Sequence, residues 1–183
     1  MKIVILFILI AVGLISCNVK VYSDYSRSTD FKKYKSFMWI QASTPSPDKY
    51  YGDQKIQDDI IKYANNYLYS LGYELELKEP DLLVTYHTLV TKEMITVNTP
   101  IYNYTASGPQ LIGYKKEDIP RITAQITIEM MDKKNNKKIW TGWGESTISN
   151  ANDIDHQLRG EIKRIMSQYP VKPQKNAPTY ETY

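Results

Sequence analysis

The sequence is poor in the residues that most often carry chemistry. It contains one cysteine and two histidines in 183 residues. A lone cysteine excludes an internal disulfide, and so few Cys and His residues cannot supply the ligand set of a zinc site, so we predict no metal. The chain also lacks the glycine-rich loops that bind phosphates and the Gly-x-Ser-x-Gly turn of many hydrolases. We therefore predict no cofactor and no enzymatic activity.

A strong net charge is also missing. The formal charge is +3, with 23% charged and 42% hydrophobic residues, values that are ordinary for a globular domain. The basic residues are dispersed among acids, except for 133–134 and 137–138, which flank two asparagines and predict a hairpin turn. Because this charge is too weak for a nucleic-acid-binding surface, we predict no nucleic-acid partner.

The long apolar run of the sequence lies at its N-terminus. It covers residues 3–15 after a single lysine and is too short for a bilayer core, which requires about 20 helical residues. The sequence LISC at 14–17 resembles a bacterial lipobox. We therefore predict that 1–16 is a lipoprotein signal peptide and that Cys17 carries a diacylglyceryl thioether and an N-acyl chain. An uncleaved N-terminal helix and a plain secretory signal are the alternatives.

Lipids on Cys17 would attach the protein to a membrane. Two or more acyl chains anchor a protein stably, whereas one binds reversibly. Asn18 is not the aspartate that signals inner-membrane retention in some bacteria, so we expect the outer membrane of a bacterial envelope. The first strand is predicted from Val19 onward. The spacer is therefore short, and it would hold the domain within about 10 Å of the lipid surface.

Two segments have the apolar period of one-sided helices. The first is predicted between Asp53 and Gly72, and the second between Asp153 and Pro170. Their apolar stripes are Ile56, Ile60, Ala64, Tyr67, Leu68 and Leu71 in the first helix, and Ile154, Leu158, Ile162, Ile165, Met166 and Tyr169 in the second. Each stripe must be buried against another element of the fold.

Alternating apolar and polar residues predict strands around these helices. The clearest strand is 121–132, which is followed by the Lys-Asn-Asn-Lys turn and by a returning strand that ends at 148. Further strands are predicted at 19–25, 36–40 and 80–90. The alternation predicts a sheet with one face in water. Gly142 and Gly144 lie on one strand face, where a close-packed helix or a bulge would require them.

These elements predict one α+β domain over residues 17–170. We expect a mostly antiparallel sheet of about six to seven strands with the two amphipathic helices packed on one face. The polar, proline-rich end at 171–183 is predicted to be a disordered tail. The segment 98–120 is long for a structureless connection, so it is either a functional loop or an element that the pattern does not reveal.

Few side chains are candidates for catalysis. His87 lies in a predicted strand, where a structural role is the simpler interpretation, and His156 lies on the solvent side of the second helix. The adjacent carboxylates at 58–59 point about 100° apart. Asp24 and Asp30 lie near a turn, where such side chains usually bond to the backbone. An envelope hydrolase whose site forms only on folding is the alternative to a non-enzymatic protein.

Several stretches of the sequence are similar to a known family. They are VYSDYSRSTDFKKYKSFMWI at 21–40, LGYE at 71–74, PDLLVTYH at 80–87, IEMMDKKNNKKIWTGWGE at 128–145 and EIKRIMSQYP at 161–170. Together they resemble the domain-of-unknown-function family 4136 of bacterial envelope lipoproteins. The most specific run is Asp24, Tyr25, Asp30, Phe31, Tyr34, Lys35 and Trp39. The resemblance implies a lipoprotein domain and brings no activity or binding residue with it.

The function that these observations favour is a non-catalytic binding or assembly module of the envelope. Its partners would be the membrane, through the lipid anchor, and an envelope protein, glycan or lipid. The chain has 16 tyrosines against three phenylalanines and three tryptophans. Tyrosine rings can stack on sugars or peptides, although a compositional bias spread over the surface explains the same count. The candidate binding surfaces are the sheet face that is predicted to lie in water and the segment 98–120.

Overall fold

The computed structural model describes residues 20–40, 54–148 and 154–174. In chain order the elements are β1 (Lys20–Tyr25), a short 3₁₀ helix (Phe31–Lys33), β2 (Ser36–Trp39), α1 (Gln54–Ser70), β3 (Glu74–Leu75), β4 (Leu82–Thr105), β5 (Gly108–Asp132), β6 (Lys137–Ile148) and α2 (Ile154–Met166). The predicted signal peptide at 1–16, Cys17 and the part of the predicted tail at 175–183 lie outside the described residues.

The strands form one six-stranded sheet in the order β1-β6-β5-β4-β2-β3. The pairs β1–β6, β6–β5 and β5–β4 are antiparallel, and β2 is parallel to both β4 and β3. Parallel neighbours need a crossover connection, and α1 lies in the connection between β2 and β3. The described part of the chain is therefore an α+β fold with a mixed, mostly antiparallel sheet, in agreement with the prediction.

Side chains of both helices and of the sheet share one hydrophobic core. Its fully buried members include Ile60, Ala64 and Leu68 of α1, Leu158, Ile162 and Ile165 of α2, and Leu82, Val84, Ala124, Ile126, Ile128 and Met130 of the strands. Burial of one large apolar side chain stabilises a fold by about 1.5–3 kcal/mol. Apart from Ile154, whose side chain lies outside the described part, the predicted helix stripes contribute to this core together with the predicted inward side of 121–132, and Ile56 and Tyr67 are partly buried.

The ends of the two helices differ in how well the sequence predicts them. Gly72 follows α1 with a φ of +84°, the left-handed conformation that commonly ends a helix, as predicted. The helix α2 ends at Met166 rather than extending to Tyr169, because the chain then tightens into a turn in which the Tyr169 amide donates to the Met166 carbonyl oxygen at 2.9 Å.

Close packing of α2 on the sheet depends on two glycines of β6. A Cβ on Gly142 would overlap the Trp140 ring and lie 3.0 Å from Ile165 Cγ2, and a Cβ on Gly144 would lie 3.1 Å from Ile165. Such distances leave no room for a side chain. Of the two predicted reasons for these glycines, a close-packed helix and a bulge, the close-packed helix is the one that the structure shows.

The predicted turn between β5 and β6 is present at residues 133–136. Asn136 adopts a φ of +53°, which asparagine tolerates better than most residues, and the Asn135 side-chain oxygen accepts a hydrogen bond from the Lys137 amide at 2.9 Å. The beginning of the predicted tail lies against the C-terminal end of α1, since the Gln174 amide donates to the Ser70 carbonyl oxygen at 2.8 Å and its side-chain amide donates to the Leu71 carbonyl oxygen at 3.1 Å.

Candidate functional site

The most unusual feature of the structure is the length of the β4–β5 hairpin. The two strands have 24 and 25 residues, whereas most strands have about five or six. β6 pairs with β5 only as far as Ile122, and beyond that point, among the described residues, β4 and β5 pair only with each other. We call residues 93–121 the ribbon. At about 3.3 Å per residue it projects about 40 Å from the sheet.

The ribbon resolves the alternatives that the sequence left open for 98–120. This segment is a regular antiparallel hairpin, with Asn98 opposite Lys116 and Thr105 opposite Gly108, so it is an unrecognised element and not a structureless loop. Its pattern was hidden because both faces of the ribbon are exposed. Burial therefore imposes no alternation of apolar and polar residues on it.

The end of the ribbon differs from the rest of the ribbon in its charged side chains. Residues 100–114, which we call the ribbon tip, contain no charged side chain. The remainder of the ribbon carries ion pairs, Glu93 with Arg121 at 2.7 Å and Lys115 with Glu117 at 2.6 Å. The exposed large apolar side chains of the tip are Ile101, Tyr102, Tyr104, Leu111, Ile112 and Tyr114. Grouped exposed apolar residues, unlike scattered ones, mark interaction sites.

The register places several of these side chains on one face of the ribbon tip. Tyr102 and Tyr104 are two residues apart on β4 and therefore point the same way, and Leu111 lies opposite Tyr102. Tyr104 is 80% exposed. A register shift beside Ile101 and Tyr102 leaves Ile112 without a partner residue in the strand pairing. Such irregularities change the direction in which neighbouring side chains point.

A second candidate surface is the sheet face that points away from the core. Tyr22, Trp143, Thr127 and His87 follow one another in a single row across four strands. Tyr22 stacks on Trp143 with ring centroids 5.6 Å apart and an interplanar angle of 24°. Tyr22 is exposed, so this face presents an aromatic pair to its surroundings.

His87 contacts a carboxylate on this face. Its Nε2 lies 3.6 Å from Glu129 Oε2, and its side chain is 37% exposed. Lys138 Nζ donates to the same carboxylate at 2.8 Å. A carboxylate can orient an imidazole, but it is not the nucleophile that a hydrolytic site would place beside the histidine.

The other candidates from the sequence are dispersed. His156 is exposed on α2, as predicted, and Asp30 accepts a hydrogen bond from the Lys32 amide at 3.1 Å. Asp59 pairs with Lys55 one turn earlier on α1 at 2.6 Å. Within 20–40, 54–148 and 154–174, no three His, Cys, Asp or Glu side chains meet in a way that could hold a metal ion. No helix within these ranges is long and apolar enough to span a membrane.

Sequence reasoning missed a buried carboxylate at the end of β5. Asp132 accepts hydrogen bonds from Lys33 Nζ, the Tyr34 hydroxyl and the Lys134 amide, all at 2.9 Å. The Lys33 hydrogen bond is the main cause that lowers the Asp132 pKa. Its partners come from the segment before β2 and from the β5–β6 turn, so this carboxylate links two parts of the domain that are distant in sequence.

A second missed carboxylate lies in the helix–sheet interface. Glu161 of α2 is buried, and its Oε2 accepts a hydrogen bond from the Ser146 hydroxyl at 2.7 Å. Burial raises its pKa to about 7, although the Ser146 hydrogen bond and Arg164 act in the opposite direction. The sequence held a signal for it, because Glu161 stands three residues after Leu158 and thus on the apolar stripe of the helix.

A six-stranded α+β domain with two helices and a projecting ribbon is the class of protein that the geometry defines. Residues 21–171 match the family model described as a domain of unknown function, DUF4136. The chain belongs to this family, as the resemblance implied. No curated protein matches the chain.

The comparison with solved structures found several similar chains. A PDZ domain protein from Parabacteroides distasonis ATCC 8503 is similar at a TM-score of 0.55 and 17% identity over 90% of this chain, which spans 39% of that protein. PelC from Paraburkholderia phytofirmans, solved as a dodecamer, gives a TM-score of 0.46 and 14% identity over 81% of this chain and 95% of its own. A minor lipoprotein from Acinetobacter baumannii gives 0.37 and 13%, over 74% and 88%. The last two likenesses are too weak to transfer a property.

Proposed function

We propose that the protein is a non-catalytic binding or assembly module of the bacterial envelope, anchored by lipids on Cys17. The lipobox at 14–17 supports the anchor. Because β1 begins at Lys20, three residues after Cys17, a bilayer that holds these lipids lies within about 11 Å of the strand. The proposal includes a single domain at 17–170 and the outer membrane as its location.

The observation that carries the binding function is the ribbon tip. Its exposed tyrosine, leucine and isoleucine side chains lie at the end of a hairpin about 40 Å long, away from the core of the domain. A two-stranded hairpin is marginally stable in water, and burial of apolar surface is favourable. A partner that covers the tip would therefore gain free energy and also order the ribbon. An envelope protein, a glycan and a lipid are the partner classes.

We also infer that both helices cover the same face of the sheet. Ile165 of α2 packs beside Gly142 and Gly144, and Ile60 of α1 belongs to the same core as Ile128 of β5. The face that carries Tyr22 and Trp143 would then stay open, as the alternation along β5 predicts. It is a second surface for a partner.

The hydrolase alternative rests on His87 and Glu129. Their contact lies on an open strand face, where Lys138 binds the same carboxylate. Hydrolytic sites usually lie in clefts that exclude water and hold the substrate. This geometry favours a binding function.

The anchor is tested first by metabolic labelling with an alkyne palmitate in a bacterial host. We expect the native chain to be labelled and to sediment with membranes, and Cys17→Ser to lose both properties. Labelling that persists in Cys17→Ser, or a native chain without label, would contradict the anchor.

The binding site is tested by photo-crosslinking in intact cells. A photoreactive phenylalanine at Tyr104 reports on the ribbon tip, and the same residue at Leu77 is the control, since Leu77 is also a highly exposed apolar residue. We expect adducts from position 104 that exceed those from position 77. Equal yields at the two positions would contradict the tip as a binding site.

A further inference from the structure

We propose that the ribbon tip inserts into the boundary between headgroups and acyl chains of the bilayer that holds the Cys17 lipids. The domain would then have two membrane attachments, one covalent and one reversible. This inference rests on the proposed lipid anchor and identifies the envelope component that the tip binds. It is carried by the direction of the ribbon, by the chemistry of the tip and by the form of the ribbon edges.

The N-terminus and the ribbon leave the sheet at the same end. Lys20, the first residue of β1, lies in one row with Glu145, Gln125 and Leu89. From this row β1 runs toward Asp132, whereas the ribbon extends in the opposite direction. A lipid anchor three residues before Lys20 therefore places the bilayer at the end of the sheet from which the ribbon projects.

The two lengths determine how the ribbon meets this bilayer. The tether from Cys17 to Lys20 spans at most about 11 Å, and the ribbon is about 40 Å long. A ribbon longer than the tether cannot stand upright between the sheet and the membrane surface, so it must lie inclined along that surface. The tip then samples the bilayer at a high effective concentration, and a weak intrinsic affinity is sufficient.

The chemistry of the tip fits the membrane interface. Tyrosine is enriched there because its ring is apolar and its hydroxyl is polar, and the tip presents Tyr102, Tyr104 and Tyr114 with Leu111 and Ile112. The charged part of the ribbon begins directly behind the tip, at Lys115. The tip can therefore leave water without moving a charge into the bilayer.

The depth of insertion is limited by the ribbon itself. The outer edges of a two-stranded ribbon carry backbone groups that hydrocarbon cannot satisfy. Deep insertion would also bury the Lys115–Glu117 pair. Insertion therefore reaches about 5–10 Å, the level at which amphipathic segments lie in membranes.

The ribbon edges do not favour pairing with a second copy of the chain. Proline cannot donate a ladder hydrogen bond, and both strands of the ribbon carry proline, at Pro100 on β4 and at Pro109 and Pro120 on β5. The irregularity beside Ile101 and Tyr102 interrupts the ladder. Prolines and bulges are features by which exposed edges avoid edge-to-edge association.

The experiment measures the depth of a tryptophan in the ribbon tip. Tyr104→Trp and the control Met94→Trp are purified from bacterial membranes as full, lipidated chains and placed in phosphatidylethanolamine–phosphatidylglycerol vesicles with lipids brominated at different depths. The parent chain supplies the background of its native tryptophans. We expect quenching of Tyr104→Trp at least twice that of Met94→Trp, and strongest with bromines close to the headgroups.

Two charge substitutions on the Tyr104→Trp background supply a matched control. Ile112 in the tip is 64% exposed and Met94 in the charged part of the ribbon is 63% exposed, so neither substitution disturbs the core. We expect Ile112→Glu to reduce the quenching to the Met94→Trp level, and Met94→Glu to leave it unchanged.

Failure of this inference and failure of the anchor give different results. If the vesicles float the native chain but not Cys17→Ser, and Tyr104→Trp is unquenched, then the anchor stands and tip insertion is wrong. Adducts from position 104 that contain protein rather than lipid would also overturn insertion and favour a protein partner. A chain without palmitate label that does not float would overturn both the anchor and the insertion that rests on it.

Discussion

At the residue scale, the energetics of Glu161 depend on where its proton resides. Burial raises its pKa from 4.5 to about 7, against a hydrogen bond from Ser146 and the charge of Arg164 that lower it. Its Oε1 has no hydrogen-bond partner among the described residues. An ionised carboxylate at this position is costly, so the folded state favours the protonated form.

We predict that Glu161 makes the free energy of unfolding decrease from pH 4.5 to pH 7. Below pH 4.5 both states hold the proton, and between 4.5 and about 7 the unfolded chain releases it while the folded chain retains it. The loss is about 1.4 kcal/mol per pH unit and about 3 kcal/mol in total.

Urea unfolding of the native chain and of Glu161→Gln between pH 4 and pH 8 measures this effect. The difference in unfolding free energy between the two proteins should change across this range in favour of the variant. Ser146→Ala should extend the decrease to higher pH, because it removes the hydrogen bond that lowers the pKa. A pH-independent difference between native chain and Glu161→Gln would contradict the prediction.

At the element scale, strands were predictable where the sheet is covered and not where the ribbon leaves it. In 121–132 the core selects apolar side chains at every second position, so the strand is visible in the sequence. In 98–120 neither face is covered, and three prolines, at 100, 109 and 120, imitate a loop. The ribbon forms through pairing of the two backbones across the strands, and this pairing has little effect on which residue types occur there.

The interface between α2 and β6 gives an element-scale prediction. Gly142→Ala should reduce the free energy of unfolding by about 1–3 kcal/mol, because the new methyl group meets the buried Trp140 ring and Ile165. Gly160→Ala is the control, since nothing lies within 4 Å of a Cβ at that position of α2. It should be neutral or stabilise the helix by up to about 1 kcal/mol.

Thermal and urea unfolding of the two glycine variants test this prediction. The two substitutions add the same methyl group, so their difference isolates the helix–sheet contact from the chemistry of the change. Equal stability of the two variants would mean that α2 can move away from β6 without cost.

At the scale of the whole molecule, Tyr169 connects segments that are distant in sequence. Its ring is contacted edge-on by Phe31, Tyr73 and Trp140 at centroid distances of 5.3, 6.3 and 5.4 Å. The Tyr169 and Tyr73 hydroxyls are 3.2 Å apart. The segment after α2 therefore closes the core between the beginning and the middle of the chain.

We predict that Tyr169→Ala lowers the free energy of unfolding by about 3–5 kcal/mol, the usual range for removal of a buried aromatic ring. Tyr169→Phe should cost only about 1 kcal/mol, since it removes a hydrogen bond and keeps the packing. Tyr104→Ala, at an exposed position of the ribbon tip, should leave the stability unchanged. Chemical denaturation of the three variants would refute the role of Tyr169 if the two alanine variants lost equal stability.

The sequence by itself determined the two amphipathic helices with their apolar stripes, the β5–β6 hairpin with the inward side of 121–132, and membership of the family. These features depend on local periodicity, on turn residues and on motifs within short segments, which a linear pattern records. Only the tertiary structure decided that β2 lies parallel to β4, that residues 98–120 form a ribbon, and that Glu161 and Asp132 are buried. Each of these depends on which distant segments pair or pack together, and a contact between distant segments has no local signature.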